Sequence, residues 1–434
     1  MRVATPLVAS LLAMGLSACP GALVFADVAP GDVVDKTNWQ KLEGLVPQPV
    51  LNWIKKGDVV QIGELSYDPA EFLPPAALES LKTNVEKYEI GDGGVIIERS
   101  TKDGLAYILG LPFPHIDIND PKAGEKVMQN KCYYTYSMGN MEDSFQLIWI
   151  GRSTGQERQL DCQYRTYVME GDPGHQGEAN PENIEMYSII RILAPFDIAG
   201  TNVLLWRYRD ERQDSTFTYV PSIRRVRRMS PANRSDAFVG SDFCVDDAWG
   251  YAGKVSAFEW KVLKKEDQVV PFYPKDPLPL EKQSDGSWRT VNPGKQYQPI
   301  LGLEKEGYPG APWFSTNLVW VKRPTYVLEC KAKDPYYNYG VQYLWLDADY
   351  YQPFWKVIHD RSGAYWKVEW QSGCGYESAD KKVRLMDLSC LVAVDDRNEH
   401  ACFIYLVHPK NQVDFWDVQD RNDYSLAGFQ KLCK

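Results

Sequence analysis

Alternation is clearest at Asn202–Tyr208, where Leu204, Trp206 and Tyr208 share one side and Leu205 and Arg207, followed by Arg209, share the other. A period of two with one apolar and one mostly cationic face predicts an antiparallel strand wetted on one side. Residues 216–220 predict its neighbour across the charged turn Asp210-Glu211-Arg212-Gln213-Asp214. Residues 144–150 and 159–168 carry the same β character. Further on, 318–332, 341–348, 353–360 and 365–371 predict a meander, with Asp360-Arg361-Ser362-Gly363 as a turn, and 401–407 a last strand. Prolines recur from Pro271 to Pro312, which predicts a surface excursion over 271–316, because proline interrupts ladder hydrogen bonds.

Helical periodicity is confined to the first third. Pro75 opens a segment running to Tyr88, with Leu78, Leu81 and Val85 on one face and Gly91-Asp92-Gly93-Gly94 as its stop. A hairpin of 95–98 with 105–109 is expected around Lys102-Asp103-Gly104, and a short helix after Asp120-Pro121. The chain is therefore expected to be mainly β with minor α. Residues 27–57 read as an extended lead-in and 58–434 as one large domain.

Composition sharpens this reading. Aromatic residues reach 13%, with 26 Tyr and 14 Trp, which suits strands and ring-lined surfaces or cavities. A net charge of −10 argues against general nucleic-acid binding. Arg2 is the only charge before Asp27, and the apolar run 7–18 has the length of an export signal. Two processing readings stand: cleavage after Val24-Phe25-Ala26, making 1–26 a signal peptide, or lipidation of Cys19 after Leu16-Ser17-Ala18. No later run of apolar residues is long enough to span a bilayer.

Besides Cys19 there are Cys132, Cys162, Cys244, Cys330, Cys374, Cys390, Cys402 and Cys433. An even set in an exported chain predicts disulfides, with Cys132–Cys162 and Cys374–Cys390 as the local options. No Cys-x-x-Cys, His-Glu-x-x-His, Gly-x-Ser-x-Gly or phosphate-cradling loop occurs, so no metal, cofactor or catalytic residue is assigned. The sharpest local feature is Arg224-Arg225-Val226-Arg227-Arg228. Four guanidiniums suit anionic headgroups, a docking partner, or internal pairing with acids such as Asp242 and Asp247.

Three stretches resemble one family. They are Gly110-Leu111-Pro112-Phe113-Pro114 with Ile118-Asn119-Asp120-Pro121, Tyr219-Val220-Pro221-Ser222-Ile223-Arg224-Arg225-Val226-Arg227-Arg228, and Leu318-Val319-Trp320-Val321 with Tyr343-Leu344-Trp345-Leu346-Asp347 and Trp366-Lys367. The pattern resembles the DUF1329 family of exported bacterial proteins, similar in fold to the LolA/LolB-like lipoprotein carriers of the periplasm. Ser222 stands where that family usually has glycine, and many members carry few cysteines, so the chain reads as a disulfide-braced branch. The resemblance implies a large curved antiparallel sheet, a half-barrel packed on short helices around an apolar cavity. Leu204, Trp206, Tyr208, Phe217, Tyr219, Tyr343, Trp345, Trp355, Trp366 and Trp370 are its candidate lining. It also implies a non-catalytic periplasmic carrier of lipid or other hydrophobic cargo, free in the periplasm or associated with the outer membrane, beside an inner-membrane exporter and an outer-membrane barrel. The alternative is a structural or interaction subunit of a surface assembly.

Overall fold

The computed structural model describes residues 27–101, 107–291, 294 and 297–433. The expected signal segment, Cys19 and the turn Lys102-Asp103-Gly104 lie outside the described residues. Two small ribbons precede the main sheet: β1 (Val33–Val34) with β2 (Val60–Gln61), and β3 (Tyr88–Ile90) with β4 (Ile96–Glu98). The helices are α1 (Gln48–Lys56), α2 (Pro75–Thr83), α3 (Ala123–Tyr136) and α4 (Leu426–Leu432).

The main sheet has 16 strands. Six form an antiparallel meander: β5 (Met141–Gly151), β6 (Gly155–Val168), β7 (Ile184–Ala194), β8 (Asn202–Tyr208), β9 (Ser215–Val220) and β10 (Arg225–Met229). The rest are β11 (Phe258–Phe272), β12 (Leu278–Lys282), β13 (Trp288–Thr290), β14 (Val319–Ala332), β15 (Tyr339–Asp347), β16 (Pro353–Asp360), β17 (Tyr365–Ser378), β18 (Arg384–Asp395), β19 (His400–Tyr405) and β20 (Val413–Phe415).

The curvature is visible in the pairing. β17 holds β18 along one edge and, along the other, β16, then β11 at Gly373, then β12. The path β11-β14-β15-β16 thus returns to its start through β17, and β18 and β19 lead to β5, which β20, β13 and β12 connect back to β17. Flat strands cannot make such returns, so the sheet must curl. The β17 contacts with β11 and β12 are parallel, which makes the sheet mixed where an antiparallel one was expected. Gly373 permits the first of them, since an added Cβ would stand 2.7 Å from the Phe272 ring. Among the described residues β10 alone has a single partner in this sheet.

The largest core is aromatic. Trp355 and Trp370 face each other in register, and Trp320 lies 5.6 Å from Trp355 between ring centroids, all three fully buried. Offset stacks of this kind add to the burial of apolar area.

Several expectations change. The face of Arg207 is not wetted: Arg207 is 4% exposed and paired with Asp214 at 2.8 Å, because the chain beyond β10 covers it and Ala252 accepts a second bond from its guanidinium. In α2 it is Ala77 and Ser80 that are buried, while Leu78 is 53% exposed; proline fixed where the helix starts but not which face packs. The helix after Asp120 is a full 14 residues. β4 pairs with β3, and Leu109 bridges to Gly171 instead. The lead-in contains α1, whose Trp53 is buried and donates to Asp396. The proline-rich excursion holds β12, β13 and the buried Trp313 and Phe314, with Pro271 and Pro279 next to the ends of β11 and β12.

The expected disulfides are absent among the described residues. Cys132, Cys162, Cys244, Cys330, Cys374, Cys390, Cys402 and Cys433 are all buried free thiols. A bridge needs Cα atoms roughly 5.5–6 Å apart with converging Cβ atoms. Cys374 and Cys390 sit on adjacent strands but at different rungs, opposite Asp387 and Ser372. Cys132 lies on α3 in the main core, whereas Cys162 on β6 joins a separate cluster.

Candidate functional site

Beyond β10 the chain crosses the sheet as a strap, residues 236–252, built from short 3-10 turns with Val239 and Trp249 in left-handed backbone. Such conformations cost non-glycine residues of order 1–3 kcal/mol and persist only where surrounding contacts hold them. Here the holding contacts are buried charges. Asp246 pairs with Arg234 and accepts from Tyr337 Oη at 3.0 Å. Asp247 accepts from the Cys244 backbone N–H at 2.6 Å and Tyr339 Oη at 2.7 Å, and pairs with Lys356 Nζ at 2.5 Å. Lys356 also reaches Glu369 at 3.2 Å.

The electrostatics follow from this crowding. Burial opposes ionisation of Asp247, but the Lys356 and Lys367 ammoniums outweigh it and hold the carboxyl below the usual range. Burial, then the neighbouring Asp247, pushes Glu369 well above its ordinary value.

Against the sheet the strap covers an apolar pocket with about 60 Å³ of free space, partly open to solvent. Phe145 and Leu147 of β5, Tyr164 of β6, Ile190 of β7, Leu388 and Leu391 of β18, Ile404 of β19 and Leu406 form its floor. Phe238, Phe243, Cys244, Val245, Ala248 and Trp249 of the strap form its roof. None of these residues is charged. The Trp249 ring lies 4.4 Å from that of Tyr164, and its Nε1–H donates to Asp387 Oδ1 at 3.3 Å.

Asp387 is a titratable group at this wall. Burial pushes it up to about 7, against hydrogen bonds from the Leu388 backbone and Trp249 and the charge of Lys131. The buried Asp143 adds to the acid crowding nearby. A raised folded-state value means the contribution to stability is full below the unfolded value near 3.8 and is lost as pH rises through about 7. Asp387→Asn is therefore expected to gain stability relative to the parent between about pH 4 and pH 7, measured by denaturant unfolding; parallel pH profiles would refute it.

The residues singled out from sequence occupy other places. Leu204, Tyr208, Phe217, Tyr219 and the partly buried Trp206 pack with Tyr424 and Phe429 near α4. Trp355 and Trp370 fill the main core, with Tyr343, Trp345 and Trp366 against it. Of the ten, Trp345 borders an open cleft beside α1. Arg224, Arg225, Arg227 and Arg228 are exposed and, among the described residues, make no ion pair. Asp247 serves Lys356 instead, and Asp242 bonds His400 Nδ1 at 2.6 Å.

Asp242, His400 and Cys402 bring oxygen, nitrogen and sulfur donors within 4.8 Å of one another. The hydrogen bond to Asp242 raises the His400 value above that of an ordinary imidazole. The pocket itself escaped sequence reasoning. Its roof has no periodicity, and the only local signal was the aromatic and aliphatic content of Phe238, Phe243 and Trp249 between acids.

The chain is similar to several proteins of solved structure. A domain from Vibrio parahaemolyticus described as an outer-membrane lipoprotein-sorting protein is similar at 16% identity, with 72% of this chain and 100% of that one covered and a TM-score of 0.47. A DUF1329 family protein from Desulfovibrio piger is 14% identical, with 66% and 90% covered and a TM-score of 0.42. A LolA superfamily protein from Nitrosomonas europaea is 12% identical, with 67% and 91% covered and a TM-score of 0.38. No curated protein matches the sequence. The family model described as "protein of unknown function (DUF1329)" matches residues 33–426, nearly the whole described chain, and the protein thus belongs to the DUF1329 family.

Proposed function

We propose that the protein is a non-catalytic carrier that holds a lipid or another elongated hydrophobic molecule between strap and sheet. The observation that carries this reading is the uncharged apolar pocket between strap and sheet; its free space is only about 60 Å³, below the roughly 300–1,000 Å³ of ligand-filled sites, so the strap must lift to admit cargo. Its roof is a strained segment held at one side by buried ion pairs, a closed form that stands directly on the apolar floor. Transfer of apolar surface from water supplies roughly 25 cal/mol per Å², enough for an acyl chain to bind without a charged contact. The export-type leader supports a place in the periplasm or cell envelope. Work beside an exporter and an outer-membrane barrel belongs to the same proposal, supported by the family likeness.

Native mass spectrometry of gently purified protein tests the reading. A co-purifying lipid, or uptake of an added long-chain fatty acid at one per chain, is expected. A chain that carries neither, yet is recovered in a fixed-stoichiometry complex, would replace the carrier by a structural subunit.

A further inference from the structure

One end of the sheet carries a second surface, whose reading does not depend on the pocket. The connection between β7 and β8 and that between β9 and β10 leave the sheet side by side. Arg191 pairs with Asn202, Asn202 with Tyr219, and Tyr219 with Val226. The two loops approach closely, since a Cβ on Gly200 would stand 3.3 Å from Pro221 Cγ.

This end presents apolar side chains to water. Phe196 is 97% exposed, Leu193 47% and Ile223 40%. Beside them stand Arg224, Arg225, Arg227 and Arg228, all exposed, with Ser215 Oγ accepting from Arg228 at 3.0 Å. Asp197 is the only acid in these two loops. The chain as a whole carries a net charge of −10 and binds most of its other arginines internally. A concentration of unpaired guanidiniums around a projecting phenylalanine therefore needs its own explanation.

We propose that this end docks on an anionic lipid surface. Phe196, Leu193 and Ile223 enter the headgroup layer, where aromatic and aliphatic tips are favoured. The arginines around them take phosphate oxygens through fork-like hydrogen bonds. The acidic remainder of the molecule is repelled by the same surface, which fixes the orientation. An acidic strand added to β10 would use the arginines and the open backbone but would leave Phe196 without a role. Edge arginines that merely discourage strand pairing would also leave it without one.

The test is co-sedimentation of the protein with phosphatidylcholine vesicles containing about three phosphatidylglycerols in ten lipids, compared with phosphatidylcholine alone. Preference for the anionic vesicles, weakened by added salt, is expected. Each arginine near such a surface contributes on the order of fivefold, so R225Q/R227Q should lower partitioning about 25-fold. Phe196→Ser should lower it roughly tenfold through lost apolar burial. These residues are exposed, and thermal midpoints equal to the parent's would show that the variants are folded. Absence of binding by the parent, or equal binding by all variants, overturns the proposal. Sensitivity to the arginines but not to Phe196 assigns the edge to an acidic polypeptide and overturns it too. Ala248→Trp, which alters only the pocket, should bind vesicles like the parent, so failure here and failure of the carrier reading are separable.

Discussion

Replacing Asp247 with alanine is expected to lower the unfolding free energy by about 3–5 kcal/mol, the range for removing one partner of a buried ion pair. Asp247 is fully buried, and its loss leaves the Lys356 ammonium with Glu369 as its one remaining ion-pair partner among the described residues and frees the Cys244 and Tyr339 donors. Denaturant unfolding measures the loss. Asp247→Ala combined with Lys356→Met should recover much of it, since the penalty is mostly the unpaired charge and not the missing attraction. A single variant as stable as the parent would show that the strap is held by packing alone. The pH dependence has the opposite sign to that of Asp387: a depressed carboxyl contributes stability above its unfolded value, and that contribution is lost as pH falls below the ordinary carboxylate range.

Ala248→Trp is expected to abolish most ligand uptake. Ala248 sits in the roof of the pocket, and an indole there would take up space that an acyl chain needs. Excluding three or four methylenes, at about 0.8 kcal/mol each, weakens binding roughly 50- to 200-fold. Titration with a fluorescent fatty acid reads the change. Unaltered affinity would move the ligand site elsewhere, while Ala248→Gly should bind as the parent does.

The strands most legible in the sequence were those with a visible period of two. β8 and β16 keep the bounds their alternation gives, and β9 differs at one end. β18 was missed because burial on both faces leaves a continuous apolar run, Leu385 to Val394 broken by Asp387 and Ser389, with no alternation to detect. Arg207 misled for the complementary reason: a cation on a strand predicts solvent, but Asp214 and a crossing segment turn that face into an interior. The ring-rich strands carried the strongest signal for a cavity, yet large planar side chains opposite one another, as Trp355 and Trp370 are, fill space instead of leaving it. The pocket arises from a non-periodic segment lying over medium-sized aliphatics. Its position depends on long-range pairs such as Lys356 with Asp247, which no local pattern encodes.

The open rim at β10 has a consequence for self-association. Two copies meeting edge to edge there would set Arg225, Arg227 and Arg228 of one strand beside the same arginines of the other. Like charges directly opposite one another destabilise such a ladder. Homotypic pairing through this rim is therefore opposed at low ionic strength and eased as salt is added.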